Sequence, residues 1–137
     1  MSQARSVVMM SLAALAMSSG VALAQTTRDE GRDIYLASCA SCHGVSGRGD
    51  GPMLLQLVRP PSDLTTLSRR NGGVFPTQRL WETIDGRWAT ETGPHGAREM
   101  PIWGDVFRAQ AGASHPEWFV RYRINALLDF LARVQER

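Results

Sequence analysis

Cys39-Ala40-Ser41-Cys42-His43 sets two thiols three residues apart and follows the second at once with an imidazole. On one helical turn, residues three apart share a side, so both sulfurs face one edge of whatever lies against the helix. The next residue then projects its ring toward the middle of that object. These are the only two cysteines in 137 residues, so they belong to no wider disulfide framework. A structural zinc site needs four ligands and would have to recruit His95 or His115 at spacings that form no knuckle pattern. A thioredoxin-type pair belongs after a strand in a βαβ unit, and the chain shows no such alternation. A plain disulfide across three residues leaves His43 without a role.

The reading that uses all three residues is covalent attachment of one c-type haem, with Cys39 and Cys42 as thioether links and His43 on the iron. The first residues agree with it. Arg5 supplies a positive charge, Val7 to Met17 is an apolar run, and Ala22-Leu23-Ala24 offers a small-x-small cleavage pattern. A run of eleven residues falls short of the roughly 20 that a membrane span needs. Residues 1–24 therefore read as a signal peptide that is cleaved, with a retained anchor as the weaker alternative, and 25–137 as one domain. Export implies the periplasm, where haem is attached in bacteria and cysteines meet an oxidising setting. No second apolar run of spanning length follows, so stable membrane insertion is not expected.

Composition narrows the partners. The chain has 15 basic residues, all of them Arg, against 13 acids, a net charge of +2, and 43% hydrophobic residues. That is an ordinary globular balance with room for one domain. It lacks the basic stripe of a nucleic-acid binder, so nucleic acid is not an expected partner.

The rest of the mature chain reads as short helices and long loops. Thr27-Arg28-Asp29-Glu30 is a capping box, predicting a helix from about Arg28 through Cys39 to near Gly44, with Gly31, Ile34, Tyr35 and Ser38 on one face. Gly44 to Pro61 is loop by its glycines and prolines. Ser62 is placed to cap a short helix ending at Asn71-Gly72-Gly73, and a further helix is marked by Thr77, Leu80, Trp81 and Ile84 with Gly86 past its end. Arg87 to Pro101 reads as loop. Ser114-x-x-Glu117 repeats the capping-box pattern before a stripe of Phe119, Tyr122, Ala126, Leu127, Phe130, Leu131 and Val134, predicting a helix from about Pro116 to Gln135. The expected fold class is all-α, with a thin core whose centre is filled by something other than side chains.

Few residues are available for the second face of the iron. Four of the six Met lie in the signal peptide, leaving Met53 and Met100. Met53 is only ten residues past His43, too close to loop easily around the ring, and His115 sits where a helix cap is expected. Met100, 57 residues after His43, can reach by wrapping the chain around the macrocycle, and thioether ligation raises the potential. His95 in its place, or an open site, stays possible on spacing alone. Haem carboxylates need cations or hydrogen bonds if they are buried, and Arg59, Trp81 and Arg98 are the candidates.

Met100-Pro101-Ile102-Trp103-Gly104 looks like the distal-ligand loop of class I cytochromes c. The order of signal peptide, first helix, CxxCH, glycine-rich loop, this loop and terminal helix resembles the bacterial mono-haem class I cytochromes c over essentially all of Gln25 to Arg137. Gly49-Asp50-Gly51-Pro52, Pro60-Pro61-Ser62-Asp63-Leu64-Thr65 and His95-Gly96-x-Arg98-Glu99-Met100-Pro101 look like a subgroup related to the haem subunits of cbb3-type terminal oxidases. The resemblance implies the cytochrome c fold and a Pro52 carbonyl accepting the second ring N–H of His43. It also implies a crossing of the first and last helices through Gly31, Tyr35 and Phe130. In function it implies an electron carrier for redox-protein donors and acceptors and not an enzyme. The alternative is a haem subunit held stably in a larger dehydrogenase or oxidase.

Overall fold

The structure is a computed structural model that describes residues 30–86 and 100–136. The start of the first helix at Thr27, most of the expected loop from Arg87, and the candidates His95 and Arg98 lie outside them.

Residues 30–38 form α1, whose Gly31, Ile34 and Tyr35 are buried on one face while Arg32 and Asp33 are exposed, as the three- and four-residue spacing requires. The ladder runs on through Cys39, whose amide bonds to the Tyr35 carbonyl at 2.8 Å and whose own carbonyl takes the His43 amide at 2.9 Å. After this slight irregularity comes α2, Ala40–His43, closed by Gly44 at φ 80°. A Cβ there would strike the Asp50 carboxylate, so glycine is required both for the turn and for the space.

The long loop is broken only by a single 3-10 turn, Leu54–Gln56. A second, Leu64–Thr66, leads into α3, Leu67–Arg70. The cap of that turn is Asp63 and not Ser62: the Asp63 carboxylate accepts from the Thr65 amide at 2.8 Å and the Thr65 hydroxyl at 2.6 Å. A carboxylate one residue closer to the turn meets the orphan amide that the Ser62 side chain was expected to take. α4 spans Thr77–Asp85 and ends on left-handed Gly86, where the sequence places the stop.

An element with no expectation attached follows. Trp103–Ala111 is α5, which buries Gly104 and Phe107 and sets the Trp103 and Phe107 rings 5.6 Å apart. The last helix, α6, covers Pro116–Arg133. The Ser114 capping box does not form: His115 holds the cap position in a left-handed conformation at φ 49°, with no side-chain bond. Pro116 at the first turn presets that entry. Glu117 instead accepts from Arg108 at 2.7 Å and so ties α6 to α5.

The deepest residues of α6 are Val120, Ile124, Leu127, Leu128 and Leu131, a stripe rotated from the expected one. The reason is that this helix is covered on two flanks. On one, Gly31 lies against the Ala126 carbonyl and the Phe130 side chain, and Tyr35 meets the Phe130 ring at 5.1 Å. On the other it packs against α4 and α5. The core of Ile34, Tyr35, Ile84, Phe107 and the α6 stripe stabilises through burial worth about 1.5–3 kcal/mol for each large apolar side chain. The fold is all-α: no strand occurs among the described residues.

Candidate functional site

The site begins with a helical turn whose carbonyls are pinned from two sides. At its carbonyl end, the buried Tyr35 hydroxyl donates to the Gly44 carbonyl at 2.6 Å. Burial, then the nearby Cys39 and Asp50, push the Tyr35 phenol up to about 12, so it remains a donor at any physiological pH. On the outer side, the chain doubles back: Gly49 donates to the His43 carbonyl at 2.8 Å, Gly51 to the Cys42 carbonyl at 3.1 Å and Met53 to the Ser41 carbonyl at 3.0 Å. Gly51 approaches so closely that a Cβ would collide with the Ser41 and Cys42 backbone.

Cys39 and Cys42 are partly buried, and no disulfide joins them. Burial and then Cys42 push the Cys39 thiol up to about 12, so it is kept as S–H.

His43 is partly buried with Nδ1 3.0 Å from the Ser62 carbonyl oxygen. A carbonyl can only accept, so Nδ1 carries the proton and the Nε2 lone pair is the one left for a metal. Burial lowers the pKa of His43, against the opposing pull of the Ser62 bond, and this favours the neutral ring that ligation requires.

The acceptor is therefore Ser62 and not Pro52. Gly51 and Met53 are both bonded back onto α2, which holds the exposed Pro52 in that outer turn. The chain reaches the imidazole ring only after running on through Pro60 and Pro61. Nothing in the residue type marks Ser62 for the role, because the bond uses its backbone.

Among the other candidates, Met100 is partly buried and packs against the core, as does Trp81, while Arg59 is exposed. Leu64, Phe75, Leu80 and Trp103 likewise rest on the core yet are only partly covered. The chain thus leaves apolar surface that a flat hydrophobic group would cover. Two cysteine sulfurs on one helical turn and an imidazole fixed in the right tautomer fit a covalently tethered iron porphyrin. Among the described residues no group of three or more His, Cys, Asp or Glu able to hold an ion occurs. His115 is exposed at the start of α6. A groove of about 480 Å³ lined by Gln110, Ser114, His115 and Trp118 lies at the α5–α6 corner and includes none of these donors.

The Cytochrome c family model matches residues 29–101, more than half of the chain, a span that includes Cys39, Cys42, His43 and Met100. No curated protein and no solved structure matches. With the thiol pair, the oriented imidazole and the helical fold on which they are mounted, this shows that the chain belongs to the cytochrome c family and carries its covalently bound haem c.

Proposed function

We propose that the protein is an exported, periplasmic carrier of single electrons, with one haem held by Cys39 and Cys42 and ligated by His43 and Met100. The observation that carries the reading is the 3.0 Å contact of the His43 Nδ1 with the Ser62 carbonyl, which fixes the ring for a metal on its other nitrogen. When bound, the haem supplies the reversible one-electron couple. The chain's own part is to hold the ligands and keep water away. Tyr35 locks the end of α2, Ser62 orients the imidazole and strengthens it as a donor, and the apolar Leu64, Phe75, Leu80, Trp81 and Trp103 cover the ring. Met100 supports the second axial role by its place within the matched family segment and its packing on the core. Arg59, Trp81 and Arg98 are the residues proposed for the haem carboxylates, and His95 is the alternative axial ligand.

Donor and acceptor are other redox proteins in small, transient encounters. No helix of the described residues is long and apolar enough to cross a membrane, and export rests on the leader-like residues 1–24. Stable association with a dehydrogenase or oxidase is a second reading, favoured by Val45, Leu55 and Val58, which stand 73%, 96% and 90% exposed on the loop after the haem motif. Co-purification with a larger partner distinguishes it. The axial assignment is tested by visible spectra of wild-type and Met100→Ala protein. A sulfur-to-iron charge-transfer band at the red end of the ferric spectrum is expected in the first and absent in the second. Identical spectra would exclude Met100.

A further inference from the structure

We propose that Gln135 is a positioning residue for His43: its amide clamps the segment whose Ser62 carbonyl orients the imidazole. The inference rests on the reading of His43 as an iron ligand and adds a residue that neither the haem motif nor the family match contains.

Gln135 lies two residues beyond the end of α6, and its side chain is spent completely on backbone groups. Nε2 donates to the Leu131 carbonyl at 2.7 Å, in the last turn of α6, and to the Leu64 carbonyl at 2.8 Å. Oε1 accepts from the Ser68 amide at 2.9 Å. A primary amide is the side-chain group that offers two donors and an acceptor at one tip, so Glu lacks the donors and Lys the acceptor. The adjacent Glu136 amide adds a bond to the Thr65 carbonyl at 2.8 Å.

The segment held in this way begins at Leu64, two residues after Ser62. Asp63 caps it, and the Asp63 carbonyl accepts from Arg70 at 2.6 Å. The Leu64 amide bonds to the Gly47 carbonyl at 2.7 Å, which joins the same segment to the loop after the haem motif. Residues 62–70 are therefore fastened to that loop on one side and to the end of α6 on the other, with Gln135 making the second fastening. Ser62 has its carbonyl on the imidazole at the edge of this clamped unit. Loosening the clamp frees that carbonyl to drift, weakens the bond from Nδ1–H, and makes the imidazole a poorer donor to iron. The ferric state loses stabilisation relative to the ferrous, and the midpoint potential rises.

The test uses holoprotein of wild type, Gln135→Ala, Gln135→Glu and, as a variant perturbed at the far end of α6, Arg108→Ala, which cuts the tie to Glu117. Two quantities are read: hydrogen exchange of the His43 Nδ1–H by nitrogen-edited NMR of the ferrous protein, and the midpoint potential. Faster exchange with an upward shift of potential in both Gln135 variants, against unchanged values in Arg108→Ala, is the expected result. Should Gln135→Ala fail to mature, Gln135→Glu decides by the same two quantities, since it keeps the acceptor for Ser68 and loses both donations. A lowered melting temperature with ring-proton exchange and potential as in wild type would overturn the positioning role. Wild-type protein without haem would instead overturn the ligand reading, and this proposal with it.

Discussion

The Ser62 carbonyl oxygen stands 3.0 Å from Nδ1 of His43 although 19 residues separate the two in sequence. This relation orients the imidazole and is made by backbone alone. The Ser62 side chain, which is exposed, should therefore be dispensable. Ser62→Ala is expected to change stability by no more than about 0.5 kcal/mol and to leave the midpoint potential and the His43 ring-proton resonance as in wild type. NMR and a redox titration of the same sample check it, and a shifted ring proton would show that the hydroxyl matters after all.

Asp63 makes this neighbourhood sensitive to acid. Hydrogen bonds from Thr65, aided by Arg70 and Arg48, hold its carboxyl below the usual carboxylate range. A group depressed in the folded state contributes stability that is present above its unfolded pKa and is lost as pH falls through the folded one. The urea midpoint of wild type should drop between about pH 5 and pH 3. Asp63→Asn, which keeps an acceptor but no charge, should fall less steeply over the same range. At neutral pH, Asp63→Ala should cost about 1 kcal/mol through loss of the cap. Equal slopes for wild type and Asp63→Asn would remove the carboxylate from the account.

Gly31 crosses α6 against backbone. A Cβ there would meet the Ala126 carbonyl and lie 3.1 Å from the Phe130 Cβ, with no flexible side-chain end able to move aside. Gly31→Ala improves local helix propensity, yet overpacking should win and destabilise the protein by about 1–3 kcal/mol. Chemical denaturation of the holoprotein measures it, and a variant as stable as wild type would show that the crossing can open at little cost.

How much of this could be read from residues alone follows from where each signal resides. α4 and α6 announce themselves because apolar residues recur at helical spacing and because Gly86 and Pro116 mark a stop and a start. The haem motif is legible because the chemistry resides in side chains at fixed intervals. α5 carries no such signal: its N-cap is Ile102, which offers no capping bond, and its buried face consists of little more than Gly104 and Phe107. The acceptor for His43 is not legible, because a carbonyl carries no residue signature that would point to Ser62 over Pro52. Only the pairing of Gly51 and Met53 with α2 reveals that Pro52 belongs to a different turn. Glu117 fitted a capping box but had a stronger partner in Arg108, a cation brought by an element that was not foreseen. Gln135 looked like the last residue of a helix and proved to be a clamp on a segment 67 residues earlier.

The central claim is a covalent tether between Cys39, Cys42 and one haem, and the most direct measurement is the mass of the purified protein after full denaturation. Protein produced with haem-attachment machinery should weigh one chain plus one haem, Cys39→Ala with Cys42→Ala should weigh the chain alone, and each single substitution should lose one thioether link. Wild-type protein that denatures to the bare chain mass, with its thiols free or bridged to one another, would contradict the account.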